Sequence, residues 1–229
     1  FWIYNTVADL NQLSRSIANT TAVVTGKPIE YQGIPGREDA TANGLLTQLT
    51  KYRDLSGRFK EHRQKPTVAI QGFGNVGAHT ARLAAMRGYT VIAVSDVNGG
   101  LYNPAGLDTR AVDEWYNGPT NQPRRTFHGF SGADAINNAD LLALDADILI
   151  LAAMEHQITG ENAGAIRARI VVEGANEGVA PDALDFLAEN DITVIPGIAA
   201  NVGGVVVSFL EWSRNRGSRR HEVDTMTDN

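Results

Sequence analysis

Short β-branched apolar runs alternate with stretches of helical spacing along most of the chain. TVAIQ (67–71), TVIAVSD (90–96), DILILAA (147–153), IVVEGAN (170–176) and TVIPG (193–197) read as buried strands running into small or turn-forming residues. NVGAHTARLAAMRG (75–88) and PDALDFLAEN (181–190) read as the helices between them, the first closed by a glycine. A shorter helix is expected within 105–117, and 118–143 reads as mixed loop and helix. Ahead of the first strand, Ile3, Val7, Leu10 and Leu13 recur at helical spacing. A loop rich in Gly and Pro follows (25–39), then a helix from about Glu38 to Arg53, then a polar stretch from Ser56 to Lys65. The last helix is expected from near Val202 to about Trp212, with a polar, frayed tail.

Alternation of this kind predicts an α/β fold: a Rossmann-like, doubly wound, mostly parallel sheet with helices on both faces. Such sheets bind ligands at the carboxyl ends of their strands, where the strand order reverses. The 229 residues allow one large domain, or one domain with an appendage. The expected division is a helical lead-in and loop (1–65), a Rossmann core (66–200) and a C-terminal helix (201–229). The opening at Phe1, without a methionine, reads as a piece excised from a longer chain, with the last helix cut short.

Composition narrows the function. A net charge of -6 and a pI near 5.4 argue against nucleic acid as a partner, which needs a basic face. The absence of cysteine excludes disulfides and thiolate metal sites and fits a reducing compartment, so a cytoplasmic location is expected. No apolar stretch is long enough to span a bilayer.

The sharpest motif is Gly72-Phe73-Gly74-Asn75-Val76-Gly77, placed after a predicted strand and opening a predicted helix. Gly72 permits the tight turn, Gly74 lets the backbone approach a pyrophosphate, and Gly77 lets helix and strand pack closely. Free amides and the positive helix end then face the phosphates. Asp96, at the end of the next strand, can accept both ribose hydroxyls of an adenosine and repel a 2′-phosphate. No Lys or Arg lies between it and Tyr102, which leans toward NAD, with NADP possible. The competing role for Asp96 is to cap the following turn.

Other strand ends share one character. Ala152-Ala153, Gly174-Ala175-Asn176, and Gly197 leading to Asn201 leave room for a flat ring and a ribose, and Asn176 and Asn201 offer amide donors and acceptors. On the last helix, Asn201, Gly204, Val205 and Ser208 share a face. Ser208 is open between donating to a substrate carboxylate and bonding back to its own helix. The five histidines have no metal-ligand spacing, and no nucleophilic triad or general base stands out.

Seven segments in order, TGKP (25–28), GREDAT (36–41), QGFGNVG (71–77), VSDVNGG (94–100), LDADILILAAMEHQIT (144–159), VVEGAN (171–176) and NVGGVVVSFLEW (201–212), resemble glutamate dehydrogenases of the amino-acid dehydrogenase superfamily. The resemblance implies that Thr41 contacts the nicotinamide carboxamide and that Gly72 to Val76 cradle the pyrophosphate, with Asn75 touching the cofactor. It implies that Asp96 sits by the adenosine ribose, and that Ala152 and Ala153 line the cofactor cleft. Asn176 and Asn201 would lie near the nicotinamide and its ribose, and Ser208 would hold the distal carboxylate of L-glutamate. The implied reaction is oxidative deamination to 2-oxoglutarate and ammonium, in a homo-oligomer. The implied catalytic lysine and aspartate belong to a substrate domain expected upstream, so this chain is expected to bind cofactor without turnover. A branched-chain or aromatic amino-acid dehydrogenase and a non-catalytic nucleotide-sensing domain are the competing readings. The chain departs from the family's usual pattern at EGVAPD (177–182), at IPG (34–36) and at Asn43.

Overall fold

Val68, Ile70, Ile148, Ile150, Ile170 and Val172 point to one side of their strands, and Ala69, Leu149, Leu151 and Val171 to the other. Strands apolar on both sides must be covered on both sides, and in the computed structural model they are. The structure describes residues 3, 5–7, 9, 20–57, 65–119, 121–122 and 124–216. They fall into two compact units, Thr41–Gly203, and Phe1–Ala40 with Gly204–Asn229.

The unit Thr41–Gly203 is built on seven strands: β1 (Thr67–Gln71), β2 (Thr90–Asp96), β3 (Gly99–Tyr102), β4 (Asp134–Ile136), β5 (Ile148–Leu151), β6 (Ile170–Glu173) and β7 (Thr193–Ile195). Their order is β4-β3-β2-β1-β5-β6-β7. β1 pairs in parallel with β2 and β5, and β5, β6 and β7 continue in parallel. The chain leaves β1 toward β2 and returns on the other side as β5, so the order reverses between β1 and β5. The helices are α1 (Ala40–Ser56), α2 (Asn75–Met86), α3 (Thr109–Asn117), α4 (Asn138–Leu142), α5 (Pro181–Glu189) and α6 (Gly197–Ala200).

One core joins Leu45, Leu46 and Leu49 of α1, Ala81 and Leu83 of α2 and Val112 of α3 to the first strand face. The opposite core joins Leu141 of α4 and Ala183 and Leu187 of α5 to the second. Each fully buried Leu or Ile contributes about 1.5–3 kcal/mol, so both layers are held firmly. At the amino edge of the sheet, Asp147 Oδ2 accepts from the backbone N–H of Thr67 at 2.8 Å and from its hydroxyl at 3.0 Å. That fixes the register of β1 beside β5.

The structure corrects the sequence reading in places. β3 and β4 form an antiparallel extension of β2, where β3 was not expected and 118–143 read as loop and helix. GGLY and DAI are too short to show alternation, and pairing creates them: β3 forms on β2, and β4 on β3. α1 spans Ala40–Ser56 rather than about Glu38 to Arg53. β5 and β6 stop at Leu151 and Glu173, and the small residues after them form turns.

In the other unit, helix α7 (Gly203–Asn215) runs past the expected end at Trp212. Ser213 and Asn215 are buried, and Asn215 Nδ2 donates to the carbonyl of Thr21 at 3.2 Å. Arg214 donates to the carbonyls of Gln32 and Gly33 at 2.6 and 2.9 Å. Lys27 forms a buried ion pair with Glu211, and the Glu211 carboxylate also accepts from the backbone N–H of Gly26 at 2.8 Å. The TGKP loop is thereby tied to α7. Of the expected first helix, Ile3 and Val7 are helical; Leu10 and Leu13, like the tail from 217, lie outside the described residues.

Candidate functional site

β1 ends at Gln71, and the chain turns at once. Gly72 has φ +92, and a Cβ there would sit 2.5 Å from the carbonyl oxygen of Ala152. A Cβ on Gly77 would overlap the carbonyl oxygen of Gly72. Both glycines are required for the turn to pack against the end of β5. Gly74 differs, since a Cβ there would meet nothing within 4 Å. It is exposed, caps α2 with φ -78, and leaves the helix without a side-chain cap. The first amides of a twelve-residue helix therefore face open space at the point where the strand order reverses. A helix N-terminus there carries about half a positive charge and favours an anion.

Phe73 is buried and packs edge-on against Tyr116 and Phe127, with ring centroids 5.2 and 5.3 Å apart. It supports the turn from below, while Asn75 is exposed and Val76 half-buried. A cavity of about 230 Å³ borders the turn, lined by Gly74, Asn75, His79, Arg82 and Arg125 among others.

Asp96 stands at the end of β2. Its Oδ1 accepts from the N–H of Asn98 at 2.7 Å, so the turn-capping role is real. Its Oδ2 accepts from the Tyr116 hydroxyl at 3.0 Å. Burial pushes the Tyr116 hydroxyl up to about 12, and the neighbouring Asp96 charge acts in the same direction, with Arg125 opposing. Tyr116 thus stays a donor, and Asp96 keeps lone pairs for further donors. A cavity of about 200 Å³ adjoins Asp96, lined by Asn98, Thr126, Phe127, His128 and Phe130 among others.

Beyond β5, the N–H of Ala152 donates to the carbonyl of Gln71 at 2.7 Å, which brings Ala152 and Ala153 beside the glycine turn. Asn176 and Asn201 meet: Asn201 Nδ2 donates to Asn176 Oδ1 at 2.7 Å and to the Gly174 carbonyl at 3.4 Å. With both amide hydrogens of Asn201 used, the pair presents Asn201 Oδ1 as acceptor and Asn176 Nδ2 as donor. Thr41, near the start of α1, is half-buried.

In the other unit, Arg37 Nε donates to Ser208 Oγ at 2.9 Å. Ser208 acts as an acceptor toward Arg37, and its own O–H remains a donor. Val205 is exposed. The sequence reading missed Arg37, although it is the one cation of GREDAT. It also missed Tyr116, Arg125 and Glu173, which only the fold brings to these places. Among the described residues, no group of His, Asp or Glu is placed to hold a metal ion, and no helix is long and apolar enough to cross a membrane.

Residues 33–228 match the family model for Glutamate/Leucine/Phenylalanine/Valine dehydrogenase. NAD-specific glutamate dehydrogenase A of Halobacterium salinarum is 42% identical over 212 residues, covering 91% of this chain and 46% of the relative. The NADP-specific glutamate dehydrogenase of Synechocystis sp. is 42% identical over 204 residues, covering 85% and 46%. The hetero-hexameric glutamate dehydrogenase from Thermus thermophilus, solved in a Leu-bound form, matches with a TM-score of 0.79 at 31% identity, covering 94% of this chain and 48% of that one. The chain spans about half the length of these relatives.

Proposed function

Because this chain belongs to the Glutamate/Leucine/Phenylalanine/Valine dehydrogenase family, we propose that it is the cofactor-binding part of a glutamate dehydrogenase using NAD or NADP. The observation that carries the reading is the glycine turn at the reversal of strand order. Gly74 leaves a cradle that a larger residue would fill, under uncapped helix amides. The donor set fits a dinucleotide from end to end. Gly72 to Val76 take the pyrophosphate, and Asp96 takes the adenosine ribose beside the cavity at Phe127 and His128. Asn176 and Asn201 offer one donor and one acceptor, the complement of a carboxamide. Ala152 and Ala153 keep the cleft wall low, and Thr41 contributes a hydroxyl at the nicotinamide end.

A bound nicotinamide would supply the hydride acceptor for the substrate. The chain's own part is to bind, to orient and to shape a dry wall. Arg37 and Ser208 are assigned to the distal carboxylate of L-glutamate. Arg37 holds Ser208 Oγ as an acceptor, so the Ser208 proton is directed elsewhere. A guanidinium beside a hydroxyl suits an acidic side chain and would leave unpaired charge against a leucine or phenylalanine, which favours glutamate over the branched-chain and aromatic alternatives. The proton-handling lysine and aspartate are assigned to the part of the relatives' length that this chain does not span. Assembly as a homo-oligomer and a cytoplasmic location complete the reading.

Calorimetric titration of the 229-residue chain with NAD⁺ and NADP⁺ tests the binding half. Saturable binding of at least one is expected, with no glutamate-dependent NADH formation by the chain alone. Absence of binding to both would refute the reading. In an intact enzyme carrying these residues, Ser208→Ala should weaken glutamate far more than norvaline, by roughly tenfold or more for a lost bond to a charged group. Equal losses would make Ser208 structural.

A further inference from the structure

Glu173, the last residue of β6, is buried, at 6% exposure. A carboxylate removed from water needs hydrogen-bond donors, and here both oxygens take backbone amides from different loops. Oε1 accepts from the N–H of Val179 at 2.7 Å, and Oε2 from the N–H of Gly197 at 2.8 Å. Val179 follows the turn at Asn176 and Glu177 and is bridged to Ile158. Gly197 opens α6, whose C-cap is Asn201. The N–H of Asn201 donates back to the Gly197 carbonyl at 2.8 Å, and the Asn201 side chain reaches Asn176 and the Gly174 carbonyl. The path from Glu173 through Gly197, Asn201 and Asn176 therefore closes on itself. Gly197 is tight within it, since a Cβ there would stand 3.0 Å from the Ala175 carbonyl oxygen and 3.3 Å from Asn201 Nδ2.

We infer that Glu173 is a positioning residue for the Asn176–Asn201 pair, the buried acceptor that sets the two loops at the spacing a carboxamide needs. This rests on the reading above that the pair takes the nicotinamide end of the cofactor. Glu173 touches neither cofactor nor substrate in this account; it acts through the two asparagines. Only a carboxylate serves both loops. A glutamine of the same size accepts at one oxygen and turns an amide N–H against the other backbone N–H, so one loop is released.

The test uses the 229-residue chain and two ligands, NADH and ADP-ribose, which share everything up to the second ribose. The readout is the ratio of their affinities by calorimetry, with Asn176→Ala and Asn201→Ala as references. Glu173→Gln and Gly197→Ala should each lose about tenfold in NADH affinity, as expected for one hydrogen bond misplaced, with ADP-ribose affinity kept within about twofold. A parallel loss of both ligands in Glu173→Gln would make Glu173 merely structural and overturn the inference. So would an unchanged ratio in Glu173→Gln and Gly197→Ala, provided the asparagine variants lower it; the reading of the pair then stands alone. If the asparagine variants leave the ratio unchanged, the reading of the pair falls and the inference with it. Should Glu173→Gln fail to fold, Gly197→Ala decides, because it disturbs the same junction without touching the carboxylate.

Discussion

Three glycines of one turn should respond differently to the loss of their hydrogen. At Gly72, a methyl group would stand 2.5 Å from the Ala152 carbonyl oxygen and 2.7 Å from the Ala153 nitrogen, both backbone atoms. The φ of +92 adds strain that a side chain cannot relieve. Left-handed backbone costs about 1–2 kcal/mol and overpacking about 1–3 kcal/mol, so Gly72→Ala should destabilise by roughly 2–5 kcal/mol. Gly77→Ala belongs to the same class, since its Cβ overlaps the Gly72 carbonyl oxygen. Gly74 has open space and an extended backbone with φ -78, which any residue adopts. Gly74→Val should cost about 1 kcal/mol or less, the price of a poorer cap, yet place branched carbons where a pyrophosphate must approach. Urea denaturation followed by calorimetric titration with NAD⁺ separates the effects. Gly72→Ala should shift the urea midpoint strongly, whereas Gly74→Val should shift it little and lose binding. If Gly74→Val bound at near wild-type affinity, the pyrophosphate would lie elsewhere. If Gly72→Ala were as stable as wild type, the turn would not be locked against β5 as described.

Asp96→Ala should raise the affinity for NADP⁺ relative to NAD⁺ by roughly fivefold or more, because about 1 kcal/mol of like-charge repulsion disappears even in a hydrated site; an unchanged ratio in paired titrations would show that Arg125 or another group sets the preference. Tyr116 is held neutral up to about 12, while in the unfolded chain it ionises near 10. The folded state binds the proton more tightly, so this contribution is intact below pH 10 and is lost as pH rises from about 10 through about 12. Absorbance titration should find one tyrosine ionising late, and Tyr116→Phe should abolish that step; its persistence in the variant would assign it to another tyrosine. Lys27→Met should destabilise the TGKP loop by about 3–5 kcal/mol, since it leaves the Glu211 carboxylate buried without its cation. A urea midpoint equal to that of wild type would show that the pair carries no net stability.

The parallel strands and their helices were legible because burial on both faces leaves a continuous apolar run, as in TVAIQ and ILIL. The glycine turn was legible because packing demands glycine at Gly72 and Gly77, and Gly74 stands between them in a fixed spacing after a strand. β3 and β4 were not, because they are short and become strands only by pairing, β3 with β2 and β4 with β3. The asparagine pair was half legible. Each asparagine stood out at a strand end, but their bond joins positions 25 residues apart. Arg37, Tyr116 and Glu173 stayed hidden for the same reason. Each acts through a partner distant in the chain, at Ser208, Asp96 and Gly197, and no local spacing records such a meeting.

The carboxyl edge of the sheet has to meet two opposed demands. On the proposed reading, a flat ring and two riboses need shallow, small-sided strand ends, and Ala152, Ala153, Gly174 and Ala175 stand there. Small residues bury little apolar surface and so anchor their loops weakly. In this fold the anchoring passes to buried or half-buried carboxylates that accept backbone amides: Asp96 takes Asn98, and Glu173 takes Val179 and Gly197. A hydrogen bond to a charged acceptor is worth about 1.5–3 kcal/mol, comparable to the leucine or valine that the cleft has no room for. The carboxylate also works from beneath the loop, so it fixes backbone position without adding bulk above it. This explains why the acids at the ends of β2 and β6 and the small residues after β5 and β6 belong to one arrangement. Replacing an acid here by an apolar residue of similar size would leave the space of the cleft intact and release the loops that define it.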